Sequence, residues 1–229
     1  MTTNREIFTS LWLKDVRCMW RSKQILTSTF GFALLLIVVS SFAFRTAGYG
    51  QEELKSITPG ILWLAFLFTS VISLNHSFTH EREHDALTGV VLTGVDPSYI
   101  FFAKFFTNLL YLASLQLFLI LTHALFFGAD LMGSVPSLFL VSVLAAVGFI
   151  ALGTLLSAVS AVTSGREIVL PLVLFPLAIP LVAAAVFLSR ETLVSGVVPV
   201  ENFWFHFLCL FDLISVVLSW ALFGYAVGE

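Results

Sequence analysis

Charge is what this sequence has least of: Asp, Glu, Lys and Arg make up 11% of its 229 residues, where soluble domains carry roughly a quarter. That scarcity excludes a water-solvated surface over most of the chain. The net charge of −3 also excludes the basic patch that nucleic acid needs. Cysteine is nearly absent: Cys18 and Cys209 lie in different contexts, one polar and one apolar, so a disulfide framework and a CxxC metal or haem-attachment motif are both excluded. A phosphate-cradling GxxxxGK[ST] loop occurs nowhere, so any nucleotide chemistry must come from another chain.

What the chain has instead is apolar residues, 59% of the total, gathered in blocks long enough to cross a hydrocarbon core about 30 Å thick. Six such blocks are predicted, at Ile25 to Phe44, Ile57 to Phe78, Phe105 to Phe127, Val135 to Val162, Ile168 to Leu188 and Phe203 to Tyr225. The fold class is therefore all-α, a single polytopic membrane domain over residues 1–229. The first block, preceded by a polar-mixed stretch and with no small-residue cleavage site following closely, reads as a retained anchor and not a signal peptide.

Orientation follows from where Lys and Arg fall. With the N-terminus inside, Arg5, Lys14, Arg17, Arg21, Lys23, Arg82, Lys104 and Arg166 are cytoplasmic, and Arg45, Lys55 and Arg190 face the opposite side. Eight against three places both termini in the cytoplasm. Within residues 1–24, Phe8, Leu11, Trp12, Val16 and Met19 recur at helical spacing opposite Lys14, Arg17 and Arg21, the pattern of an interfacial amphipathic helix. The longest cytoplasmic connection, 79–104, opens charged, turns apolar and closes on Gly94, Asp96 and Pro97, which predicts a short helix followed by a turn.

Several residues invite a chemical role. His80-Glu81-Arg82-Glu83-His84 is a formal HExxH, and His76 one turn earlier could supply a third zinc ligand; chance occurrence in a charged helix is the simpler account, and no metal is assigned. Asp212 stands near the middle of the sixth block, where a carboxylate marks a polar interior or a helix partner. His123 and His206, with Asn75, Asn108 and Gln116, pose the same choice, and interhelical hydrogen bonding is the expectation for each. Pro171, Pro176 and Pro180 each remove a backbone donor from the fifth block, predicting a broken or kinked span that faces other helices rather than lipid. Gly153, Ser157 and Ala161 form a close-packing stripe on the fourth block, for helix packing first and a dimer face second.

Two segments carry a family resemblance. Pro59-Gly60-Ile61-Leu62-Trp63, followed at matching intervals by Phe78, Glu81, Glu83, Leu87, Leu92 and Lys104, resembles the CcmB family of cytochrome c maturation. So does Leu170-Pro171-Leu172-Val173-Leu174-Phe175-Pro176-Leu177-Ala178-Ile179-Pro180-Leu181, preceded by Gly165-Arg166. The resemblance runs from the N-terminal amphipathic helix to about Val182.

It implies an ABC-2-like permease subunit of the inner membrane, non-catalytic, that works with a separate CcmA-like ATPase. A CcmC-like haem-handling membrane protein and a CcmE-like haem chaperone are the further partners implied. Haem enters as substrate and ATP on the partner subunit, with no cofactor assigned to this chain. Glu81, Glu83, Leu87 and Leu92 are the residues expected to meet the ATPase, and two copies are expected to pair beneath an ATPase dimer. An ABC-2-like permease for another amphiphilic substrate, a membrane zinc protease using His80, Glu81 and His84, and a non-catalytic assembly scaffold are the alternatives.

Overall fold

The computed structural model describes residues 4–77, 95–127, 133–161 and 166–228, and among them every regular element is an α-helix. In chain order these are α1 (Asn4–Arg21), α2 (Lys23–Thr46), α3 (Gln51–His76), α4 (Pro97–Phe127), α5 (Val135–Ala161), α6 (Arg166–Ser195) and α7 (Phe203–Gly228). The six from α2 to α7 are each long and apolar enough to cross a membrane, and the chain is a multi-pass membrane protein. An even number of crossings returns both ends of the described chain to one side, here called the terminal end of the bundle; the other is the far end.

Helix α5 is apolar all round and occupies the centre, covered by α3, α4, α6 and α7. Its small residues explain why four helices can reach it: Ala145, Ala146, Gly148, Ala151, Gly153 and Ala158 keep side-chain bulk off the contact surfaces. Of its most apolar stretch 72% is buried, against 28% for α2 and for α7. The outer helices are thus held by one stripe each. In α2 that stripe is Ile25, Thr29, Ala33, Ile37 and Ser41, a row at four-residue spacing flanked by the partly covered Leu26, Phe30, Leu36 and Phe44.

Helix ends follow local chemistry. Asp96 caps α4 by accepting the Ser98 N–H at 2.8 Å, with Pro97 in the first helical position, where its missing N–H is no loss. The helix therefore begins eight residues before the apolar block predicted at Phe105, because the cap, not hydropathy, sets its start. At the far end α2 stops at Gly48, whose φ of +82° suits glycine. The Gly48 N–H reaches the Arg45 carbonyl, the Tyr49 N–H reaches that of Phe44, and the Phe44 and Tyr49 rings pack edge to face at 5.5 Å.

The fifth apolar block is the one expected to break or kink. It does not break: α6 runs as one helix through Pro171, Pro176 and Pro180. Nor does it turn all its faces to protein, since only 39% of its most apolar stretch is buried. The covered stripe is Leu170, Leu174, Ala178, Leu181, Ala185 and Leu188, and Pro176 and Pro180 fall on the exposed side beside Leu172 and Ile179. Four-residue spacing keeps both rings off the packed stripe, so they cost backbone hydrogen bonds without disturbing helix contacts.

Candidate functional site

The most connected polar group among the described residues gathers at the terminal end, where α3 finishes. The last carbonyls of a helix lack intrahelical partners, and that of Ser77 accepts a hydrogen bond from the Lys104 ammonium of α4 at 2.8 Å. One turn along α4, on the same face, Asn108 accepts from the Ser77 hydroxyl at 3.2 Å and donates to Thr154 of α5 at 3.1 Å. Ser157, a turn further on α5, donates to the Leu74 carbonyl of α3 at 2.9 Å. Three spans are thereby cross-linked through buried polar groups, and the packing is close because Gly153 places no side chain against Leu74.

A fourth element joins from outside the spans. Helix α1 lays Phe8, Leu11, Trp12, Val16 and Met19 inward, the same stripe the sequence predicts, with Phe8 edge-on to Phe106 of α4 at 6.3 Å. Within that apolar stripe lies Asp15. One of its oxygens is 3.3 Å from the Lys104 nitrogen and 3.1 Å from that of Lys14, ion-pair contacts whose alignment falls short of a hydrogen bond. The Asp15 and Lys104 side chains are only 5% and 6% exposed, so this pair is shielded where a surface pair would be screened. A cavity of about 20 Å³ beside them, lined by Asp15, His76, Ser77, Lys104 and Thr107, has room and polar partners for one water.

The sequence reading missed Asp15, although a carboxylate between Trp12 and Met19 on an apolar helical face was the available signal. Lys104 entered that reading as a basic loop residue and a position of family resemblance, whereas the structure buries it. Glu81, Glu83, Leu87 and Leu92 lie outside the described residues, as do His80 and His84. Among the described residues no group of three or more His, Cys, Asp and Glu side chains is arranged to hold a metal.

The intramembrane polar residues take separate places. Asp212 of α7 accepts the Gly148 N–H of α5 at 2.9 Å. His123 of α4 is fully buried, with Nε2 2.9 Å from the Thr58 hydroxyl of α3 and its ring stacked on Phe127 at 3.9 Å. His206 is exposed in the first turn of α7, with Nδ1 3.0 Å from the Asn202 carbonyl. Each has its own neighbours, and the three do not form one site. Gly153 and Ser157 both meet Leu74 of α3, so the small-residue stripe at these two positions packs within the bundle.

The arrangement can tie helices together and carry displacement between them. No curated protein sequence matches the chain. A family model described as CcmB protein matches residues 6–228, so the relationship extends past Val182, where the resemblance read from sequence ends, through α7. The chain belongs to the CcmB family, the non-catalytic, membrane-spanning permease subunits of the ABC transporter of haem export and cytochrome c maturation.

Proposed function

We propose that this chain couples ATP hydrolysis by a separate, CcmA-like cytoplasmic ATPase to haem handling or to release of a loaded CcmE-like chaperone, working beside a CcmC-like haem-handling protein. It resides in the inner membrane with both termini in the cytoplasm. The observation that carries the reading is the polar junction of α1, α3, α4 and α5, because it flanks the link between α3 and α4: Ser77 directly follows α3 and Lys104 lies two turns into α4. An ATPase can drive a permease only through contacts that differ between its two states, and a junction joining four helices is where such contacts would be felt.

Two copies pair in the complex. Supporting this is the open side of α6, where Pro176 and Pro180 deprive the Leu172 and Pro176 carbonyls of their regular partners. Backbone groups in that state favour protein or water over hydrocarbon.

The test is charge reversal at Glu81 and Glu83, or Leu87→Asp, in the assembled complex. The expected result is weakened ATPase association or uncoupled hydrolysis with normal membrane insertion, while reversal of Arg190 does much less. Wild-type association and wild-type cytochrome maturation in all of these variants would remove the coupling role from the segment.

A further inference from the structure

We propose that Lys104 is a positioning residue that ties the first turns of α4 to the end of α3 and to α1, so that displacement delivered there reaches α1, α3 and α4 as one body. The inference deepens the coupling function proposed above and rests on it. Three observations carry it. First, the two flanks of the connection are bonded to each other: the Lys104 ammonium holds the Ser77 carbonyl at 2.8 Å, so α3 and α4 cannot separate at this level without breaking that bond. Second, the same ammonium meets Asp15 at 3.3 Å, and this is the ion pair that anchors α1, a helix outside the six spans, to the junction. Third, both side chains are withdrawn from water, which makes partner loss costly and the geometry specific.

From the junction the linkage continues inward. Asn108 and Thr154 carry it from α4 to α5, and Ser157 with Leu74 carries it from α5 back to α3. Packed helices joined by such bonds move as rigid elements and do not deform continuously. Without Lys104, α3 and α4 keep only the Ser77–Asn108 bond at their terminal ends, and α1 loses its charged partner on α4. ATP would then be hydrolysed with less of the motion reaching α5 at the centre of the bundle.

The experiment uses the full chain co-expressed with its ATPase and the remaining maturation proteins, comparing Lys104→Met, Lys104→Arg, Asp15→Asn and the charge-exchanged double variant D15K/K104D. Readouts are inserted protein, ATPase recovered with the chain, hydrolysis rate, and c-type cytochrome formed per ATP hydrolysed. Lys104→Met is expected to insert and recover the ATPase while cytochrome formed per ATP falls about tenfold, inside the usual range of coupling energies. Asp15→Asn falls in the same direction, Lys104→Arg keeps most of the yield, and the double variant regains part of what either charge removal loses.

A Lys104→Met chain with wild-type cytochrome per ATP would overturn the proposal. So would loss of inserted protein in Lys104→Met that Lys104→Arg fails to restore, which would make the residue a folding element only. A wild-type chain that recovers no ATPase would bring down the coupling function itself, and this inference with it; an ATPase-bound wild type beside an unaffected Lys104→Met would bring down the inference alone.

Discussion

The carboxylate of Asp212 on α7 takes its hydrogen bond from the backbone N–H of Gly148 on α5, at 2.9 Å. The approach is possible because Gly148 has no side chain: a Cβ there would lie 2.4 Å from the Asp212 Oδ1 and 3.2 Å from its Cα. Main chain would have to yield, which side-chain rotation cannot relieve. Gly148→Ala is therefore expected to loosen the α5–α7 contact and lower stability by about 1–3 kcal/mol. Asp212→Asn, which keeps an acceptor oxygen, should cost less. Thermal unfolding in detergent checks both, and a Gly148→Ala protein unfolding at the wild-type temperature would contradict the geometry.

Two other glycines should respond with opposite sign although neither has a neighbour within 4 Å. Gly48 holds φ at +82° to end α2, so Gly48→Ala strains the backbone by roughly 1–2 kcal/mol. Gly60 lies inside α3 with ordinary helical geometry, so Gly60→Ala is neutral or stabilises by up to about 1 kcal/mol. Unfolding midpoints of the two variants should fall on opposite sides of wild type, or at least be separated in that order.

The cap of α4 gives a pH dependence outside the membrane-spanning segments. Hydrogen bonds from the backbone and side chain of Ser98 hold the Asp96 carboxyl below its ordinary value of 3.8. A carboxyl depressed in the folded state contributes stability that is present above the unfolded value and lost as pH falls through the folded one. Asp96→Ala should thus cost about 1 kcal/mol at neutral pH, and the gap from wild type should narrow below pH about 4. Asp96→Asn should retain most of the cap and show no such narrowing. Unfolding curves at neutral and acid pH, compared among the three proteins, read this directly.

Topology can be measured with reporter fusions along the chain. Both termini and Arg82 should report from the cytoplasm, and Arg190 from the opposite side. The Lys and Arg distribution predicts this orientation. A C-terminal reporter on the side opposite the N-terminal one would mean an odd number of crossings and would contradict the shared terminal end, where Phe8 of α1 meets Phe106 of α4 and Trp220 of α7 donates to the Ser98 hydroxyl of α4 at 2.9 Å.

Hydropathy alone placed all six spans, because a helix that must cross hydrocarbon announces itself by length and composition, whatever its partners. The covered face of α1 was equally legible, since helical periodicity puts Phe8, Leu11, Trp12, Val16 and Met19 on one side before any partner is known. Family membership, too, was carried by residues in order along the chain. What the tertiary structure decided is which helix faces which. Apolar residues look alike toward lipid and toward protein, so no pattern in α6 could say that Pro176 and Pro180 stay on its open side. Polar residues inside spans signalled that partners existed but not their identity: Gly148 for Asp212 and Thr58 for His123 are 64 and 65 positions away. The union of Asp15, Ser77 and Lys104 was hidden for the same physical reason. Asp15 sits in α1, Lys104 in α4 and Ser77 just past α3, and only packing α1 against α4 at the end of α3 brings a carboxylate, a carbonyl and an ammonium within reach of one another.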